Sequence, residues 1–255
     1  MTRGYVRLLQ VQPLLGTGLQ REDIADARRL AVAPVASLSA GRGGAAELRR
    51  LLREDGTIGC LVVDGMITDD LTLAGRVATH LLGRGDILPR ITRPSRLLQV
   101  RESFGVTDGT RVAVLDDTFS AMTRRWPSIA GALLAQAARQ AQRVAVQELI
   151  SHLPRADQRI VALLWHLADR WGRAEPEGVV VPVMMGHEAI ARLVGGRRPT
   201  ISSALGRLGE QGLVCRQSNG TWRLDPASRA LLNPAEPPDP APSIRLLSSR
   251  ARNVG

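Results

Sequence analysis

The chain has 255 residues, 44% of them hydrophobic but only 3% aromatic, enough for a sizeable core in one large domain or two modest ones. Its net charge of +10 favours a polyanionic partner, although its basic residues are all arginine, a skew that GC-rich codon usage also produces. Two distant cysteines, Cys60 and Cys215, match no metal-ligand spacing and exclude a four-thiolate cluster within one chain, so both read as reduced buried thiols.

In chain order, residues 1–115 read as a β-rich domain after a helical lead-in at 23–30, with a helix or helical turn at 45–53. Short apolar or alternating runs follow at 59–63, 76–82, 97–100 and 111–115. Turn signals separate them at Asp64-Gly65, Gly83-Arg84-Gly85-Asp86 and Asp108-Gly109. That spacing predicts a small antiparallel barrel or sandwich. Residues 116–125 read as a helix, and Pro127 suits the first turn of a longer one that runs to about 153. Along it Ala130, Leu134, Ala137, Ala141, Val144 and Glu148 alternate spacings of four and three, the coiled-coil pattern. This seam points to a parallel dimer in which alanines let two helices approach closely. A helix packed on its own domain is the competing reading. Pro154 breaks the helix and marks a hinge.

Residues 156–171 form a further amphipathic helix, with Ile160, Leu163, Leu164, Leu167 and Trp171 on its apolar side. A short strand at 179–183 leads to the most informative stretch, 186–213. There Ile190, Leu193 and Val194, then Ile201, Leu205 and Leu208, keep helical spacing on either side of Gly195-Gly196. Gly195 permits a tight turn and Ala191 a close helix crossing. Two short helices so joined form a helix-turn-helix, whose second helix enters the major groove of DNA. Strands at 213–216 and 222–224 flank Ser218-Asn219-Gly220, a hairpin signal, and complete a winged helix over 154–225. Six prolines lie between Pro226 and Pro242, so 226–255 reads as a disordered tail. The fold class is α+β: an antiparallel β-roll (1–115), helices including a dimerisation helix (116–153), and a C-terminal winged helix.

At this point the residues resemble the Crp/Fnr family of bacterial transcription regulators. HEAIARLVGGRRPTISSALGRLGEQGLV is similar to the family's helix-turn-helix and the start of its wing. LLGRGDIL looks like the glycine-rich turn that leads into the family's ligand cassette. The resemblance implies a cyclic-nucleotide-binding-like β-roll, a homodimer, double-stranded DNA as the partner, and RNA polymerase as a further one. Carried over by position, Arg198 matches the base-reading arginine early in the recognition helix, a residue type suited to guanine O6 and N7. Arg197 and His187 match phosphate contacts, and Thr200 and Ser202 are short donors within reach of backbone or bases. Pro199 replaces the commoner glutamate and Ser203 a second long arginine, so the operator differs from the catabolite activator's. Arg207, Arg216 and Arg223 are either further DNA contacts or solvated surface charges, and Trp222 is expected to pack under the wing.

The ligand cassette departs further. The resemblance calls for Phe-Gly-Glu-Leu and then Arg-Ser-Ala, but Pro89 stands at the glycine position and Arg90 at the glutamate position. Val144 and Ala145 occupy the places of the adenine-contacting polar pair. Cyclic AMP control in the usual manner is therefore not expected. Two readings stay open: an anion site built from Arg90, Arg93 and Arg96, with an unknown effector and no cofactor, or a scaffold without ligand. His80 is the single histidine of the β-domain, which argues against haem.

An enzyme is not expected: the chain has no phosphate-binding loop, metal-spaced set or nucleophile elbow, and hence no catalytic or metal residues. Asp69-Asp70 and Asp116-Asp117 read as turn and helix-cap residues. A winged helix that binds protein rather than DNA is the alternative function. No run approaches the ~18 apolar residues of a membrane span, and no signal peptide is evident, so a soluble, cytoplasmic protein is expected.

Overall fold

In β3 (Gly59–Asp64), successive residues face two different cores: Cys60 and Val62 point into one, Leu61 and Val63 into the other. β8 (Thr110–Leu115) repeats the pattern, with Val112 and Val114 on one side and Ala113 and Leu115 on the other. A strand buried on both faces reads as a continuous apolar run and needs a layer on each side. The computed structural model, which describes residues 4–91 and 97–232, supplies both layers.

On one side a second sheet faces β3 and β8. It consists of β4 (Ile67–Leu73), β5 (Arg76–Leu82) and β7 (Arg101–Val106) in the order β5-β4-β7. Ile67 pairs with Leu82 and with Val106, and all three reach the shared core. Leu48 and Leu51 of α3 (Arg42–Leu51) are fully buried there and plug the roll. The larger sheet, in the order β1-β2-β8-β3-β6, adds β1 (Gly4–Arg7), β2 (Val32–Leu38) and β6 (Ile87–Pro89). Its outer face is covered by α1 (Leu8–Val11), α2 (Arg21–Leu30), α4 (Asp117–Arg125) and the start of α5 (Pro127–His152). Asp116 caps α4 as expected, accepting from Thr118 N at 2.9 Å.

Beyond the break at Pro154 comes α6 (Ala156–Trp171), then the short strands β9 (Arg173–Glu175) and β10 (Gly178–Val181). α7 (His187–Leu193) and α8 (Arg198–Glu210) follow, and β11 (Val214–Arg216) and β12 (Trp222–Leu224) form the wing in the order β11-β12-β10-β9.

Three expectations are corrected. Residues 97–100 are not a strand; β7 begins at Arg101, opposite Thr72, because β4 is nearly exhausted there and turns at Ala74-Gly75. Asp69 and Asp70 lie inside β4 rather than in a turn, paired across to His80 and Thr79. The tail does not start at 226: Pro226–Leu232 is a 3-10 helix packed on α6, where Trp165 Nε1 donates to Ser228 Oγ at 3.0 Å. The rest of that expected tail, from 233, lies outside the described residues.

Candidate nucleic-acid interface

The helix pair is set by a shared core and a tight turn. Ile190, Leu193 and Val194 meet Ile201, Leu205 and Leu208 over Ile160, Leu163, Leu164 and Leu167 of α6. Gly195 adopts φ +63, and Gly196 N donates back to Ala191 O at 2.8 Å. A side chain at Gly196 would stand 3.0 Å from Ile201 Cδ1, so the turn tolerates little bulk. α8 starts at Arg198 with Pro199 in its first turn, and among the described residues no side chain caps its N-terminus. The positive end of its dipole is thus open to an anion, although Pro199 contributes no N–H.

The buried stripe of α8 is Ile201, Ala204, Leu205 and Leu208. Helical periodicity places Thr200, Ser203 and Arg207 on the opposite, exposed side, and Arg197 and Arg198 project at the exposed N-terminal end. Among the described residues, Arg197, Arg198 and Arg207 have no ion-pair partner. Of the other predicted residues, all but the exposed Thr200 are already engaged. His187 Nδ1 and Ser202 Oγ share a hydrogen bond of 2.9 Å, which ties the start of α7 to α8. Ser203 Oγ donates to Pro199 O at 3.1 Å while remaining exposed. On the wing, Arg223 pairs with Glu177, and the exposed Arg216 guanidinium lies 5.9 Å above the Trp222 ring. Trp222 is buried at 2% exposure, and its Nε1 donates to Met185 O at 3.1 Å. It is a packing residue of the wing.

A family model described as a Crp-like helix-turn-helix domain matches residues 158–228. Over these residues the chain is similar to that domain. Over 70–88% of its length the chain also superposes on solved structures of similar build. One is a cyclic nucleotide-binding domain containing protein from Listeria monocytogenes EGD-e, at a TM-score of 0.61 and 18% identity, covering 88% of this chain and 99% of that one. FixK2 from Bradyrhizobium japonicum gives 0.58 and 19% over 78% of this chain and 96% of that one. A CRP-family transcriptional regulator from Thermus thermophilus gives 0.52 and 20% over 70% and 90%. At such identities the likeness is one of fold: an antiparallel roll, a long helix and a C-terminal winged helix. No curated protein sequence matches the chain.

The Crp-like domain is carried on α5, whose two sides differ in chemistry. Of the predicted dimer seam, Ala130, Leu134, Ala137, Ala141 and Glu148 are exposed and Val144 is half-buried, with Leu134 at 72% exposure. The opposite side is polar and bonds to the β-roll. Gln136 Nε2 donates to Gly85 O at 3.0 Å, and Gln140 accepts from Ile87 N and donates to Ile87 O at 3.0 and 2.8 Å. Gln147 Nε2 donates to Thr79 O at 2.6 Å and to Leu193 O at 3.2 Å, touching both units. Sequence reasoning missed this second stripe, although Gln136, Gln140, Arg143 and Gln147 repeat the same alternation of four and three.

The expected anion site is not gathered by the described residues. Arg90 points outward and pairs with the exposed Asp55 at 2.9 Å, while Arg93 and Arg96 lie outside the described residues. The inner face of the three-stranded sheet instead aligns Asp69 with His80 and Phe104 as cross-strand neighbours, and with Glu102 one pair further on. Among the described residues, Asp69 Oδ1 is buried without a hydrogen-bond partner. Burial, together with the Glu102 and Asp70 charges, pushes Asp69 up to about 6. Burial lowers His80 below its ordinary value against the opposing pull of Asp70. A carboxylate on this face repels a phosphate.

Proposed function

We propose that the chain is a homodimeric, sequence-specific DNA-binding transcription regulator of the Crp/Fnr type, not controlled by cyclic AMP in the usual way. One observation carries the reading: the Crp-like helix-turn-helix presents Arg197, Arg198 and Arg207 exposed and unpaired at an uncapped helix start and along its open side. Arginines held free of carboxylates are available to phosphates and guanine edges. The exposed apolar seam of α5 supports a second copy as the partner, which sets two recognition helices about one helical turn apart on a pseudo-palindrome. The inward-facing Asp69, Pro89 and Arg90 in the cassette, and Val144 and Ala145 on α5, support independence from cyclic AMP. Nothing in the site requires catalysis, and RNA polymerase and a cytoplasmic location complete the proposed setting.

The test is selection of bound fragments from genomic DNA, followed by anisotropy titration of the selected duplex. Arg198→Ala should lose about 1–3 kcal/mol of discrimination at one base pair per half-site. Arg207→Ala should weaken all duplexes alike and lower the salt slope by about one. Equal binding of selected and scrambled duplexes would overturn sequence-specific recognition. Tighter binding on addition of cyclic AMP at physiological levels would overturn the reading of the cassette.

A further inference from the structure

Asp86 closes the turn Gly83-Arg84-Gly85-Asp86 between β5 and β6, and its side chain is only 2% exposed. Oδ2 accepts from Gly83 N at 2.8 Å and holds the turn shut. Oδ1 accepts from Arg143 Nη2 of α5 at 2.7 Å. Oδ2 also takes the guanidinium of Arg170, which stands near the end of α6. One carboxylate therefore binds the β-roll turn, the long helix, and the first helix of the winged unit beyond the Pro154 break.

The surroundings hold Arg170 in this position. Its Nη1 donates to Leu81 O at 3.2 Å, and its guanidinium lies 3.8 Å from the centre of the Trp171 ring. That indole rests on Gly83, where a Cβ would stand 2.6 Å from Trp171 Cζ2. Leu81 itself joins the core of the winged unit. The contact is thus a fitted joint of backbone, ring and ion pair, with Arg170 at 13% and Arg143 at 24% side-chain exposure.

The charge count gives the joint a direction. Two guanidiniums share one carboxylate, so Asp86 is the member that neither arginine can replace. Its removal leaves two poorly solvated cations facing each other, whereas loss of Arg143 leaves a balanced Asp86–Arg170 pair. Burial already lowers the Arg170 pKa, and Arg143 adds to that against the pull of Asp86.

We propose that Asp86 is an interdomain lock that fixes the orientation of the winged unit on the β-roll and on α5. A movement of the glycine-rich turn is then passed straight to α6, without first separating the helices of a dimer. The lock is a positioning device, and it stands whether or not the chain binds DNA.

The experiment is a pulsed spin–spin distance measurement on the full chain. Labels are attached at Arg76→Cys on the roll and Glu210→Cys at the end of α8, in a Cys215→Ser background diluted with unlabelled chain. The wild-type background should give one narrow distribution. Asp86→Asn and Arg170→Gln should each broaden it towards longer distances, and combining them should add nothing beyond Asp86→Asn alone. Arg143→Gln should keep it narrow. A distribution as narrow in Asp86→Asn and Arg170→Gln as in wild type would overturn the lock, as would equal broadening by Arg143→Gln. Should Asp86→Asn fail to fold, Arg170→Gln decides by itself. The distances are read without DNA, so failure of the DNA-binding reading appears separately, in the duplex titration.

Discussion

Replacing Trp222 with phenylalanine separates packing from recognition in the wing. The indole is 2% exposed, donates to Met185 O at 3.1 Å, and lies with its ring centre 6.2 Å from that of His187. Phenylalanine keeps a ring under the Arg216 guanidinium, so most of a cation–π contribution of about 0.5–1 kcal/mol survives. It removes the N–H, leaving the carbonyl of buried Met185 without its donor at a cost of about 1–3 kcal/mol. The smaller ring leaves a gap worth about 1 kcal/mol more. The sum is a loss of about 2–4 kcal/mol, close to the range of about 3–5 kcal/mol for a buried aromatic cut back to alanine. Urea unfolding followed by circular dichroism reads the loss. Duplex affinity, titrated where both proteins are folded, should stay near wild type. A variant that unfolds like wild type but loses duplex binding would place the ring on a base, where stacking is worth about 1–3 kcal/mol, and would refute the packing account.

Three further outcomes follow from the geometry. A methyl added at Gly59 would stand 2.3 Å from Leu88 O, so Gly59→Ala must part β3 from β6 and should cost about 1–3 kcal/mol or more, read as a lower thermal midpoint. Asp69 has a folded-state pKa of about 6 against an ordinary value of 3.8, so the native state binds more protons between those values and stability falls as pH rises through them. Asp69→Asn should then unfold at higher urea than wild type near about pH 7.5 and approach it near about pH 4, whereas a pH-independent difference would contradict the assignment. Leu134→Glu places a charge on the exposed seam of α5 and should convert the proposed dimer to a monomer by sedimentation velocity; an unchanged mass would move the dimer contact elsewhere.

The helix-turn-helix was legible because its signals are local. The spacing of Ile190, Leu193, Val194, Ile201, Leu205 and Leu208 about Gly195-Gly196 is a helical period interrupted by a turn, and the structure packs those residues into one core. The β-roll was legible only in part. β4 was missed because its sequence, ITDDLTL, carries Asp69 on the side that faces inward. β2 was missed because Pro34 lies within it, tolerated where it pairs with Tyr5 of the edge strand β1. Within the helix pair, proximity engages His187 and Ser202 with each other. They lie far apart in sequence, and their hydrogen bond exists only because the turn brings α7 against α8.

The order of units, the break at Pro154, the helix pair with Arg197 and Arg198 at its tip, and the apolar seam of α5 all follow from local pattern. Each is written in spacing over a few turns of chain. Which charges stay free and which are consumed emerges only when the chain is folded. Asp86 read as a turn residue until Arg143 and Arg170 met on it from two different helices. Arg90 read as a candidate anion ligand until Asp55 faced it on the outside of the roll. These ion pairs join residues distant in sequence, and their strength depends on burial, which no local pattern encodes.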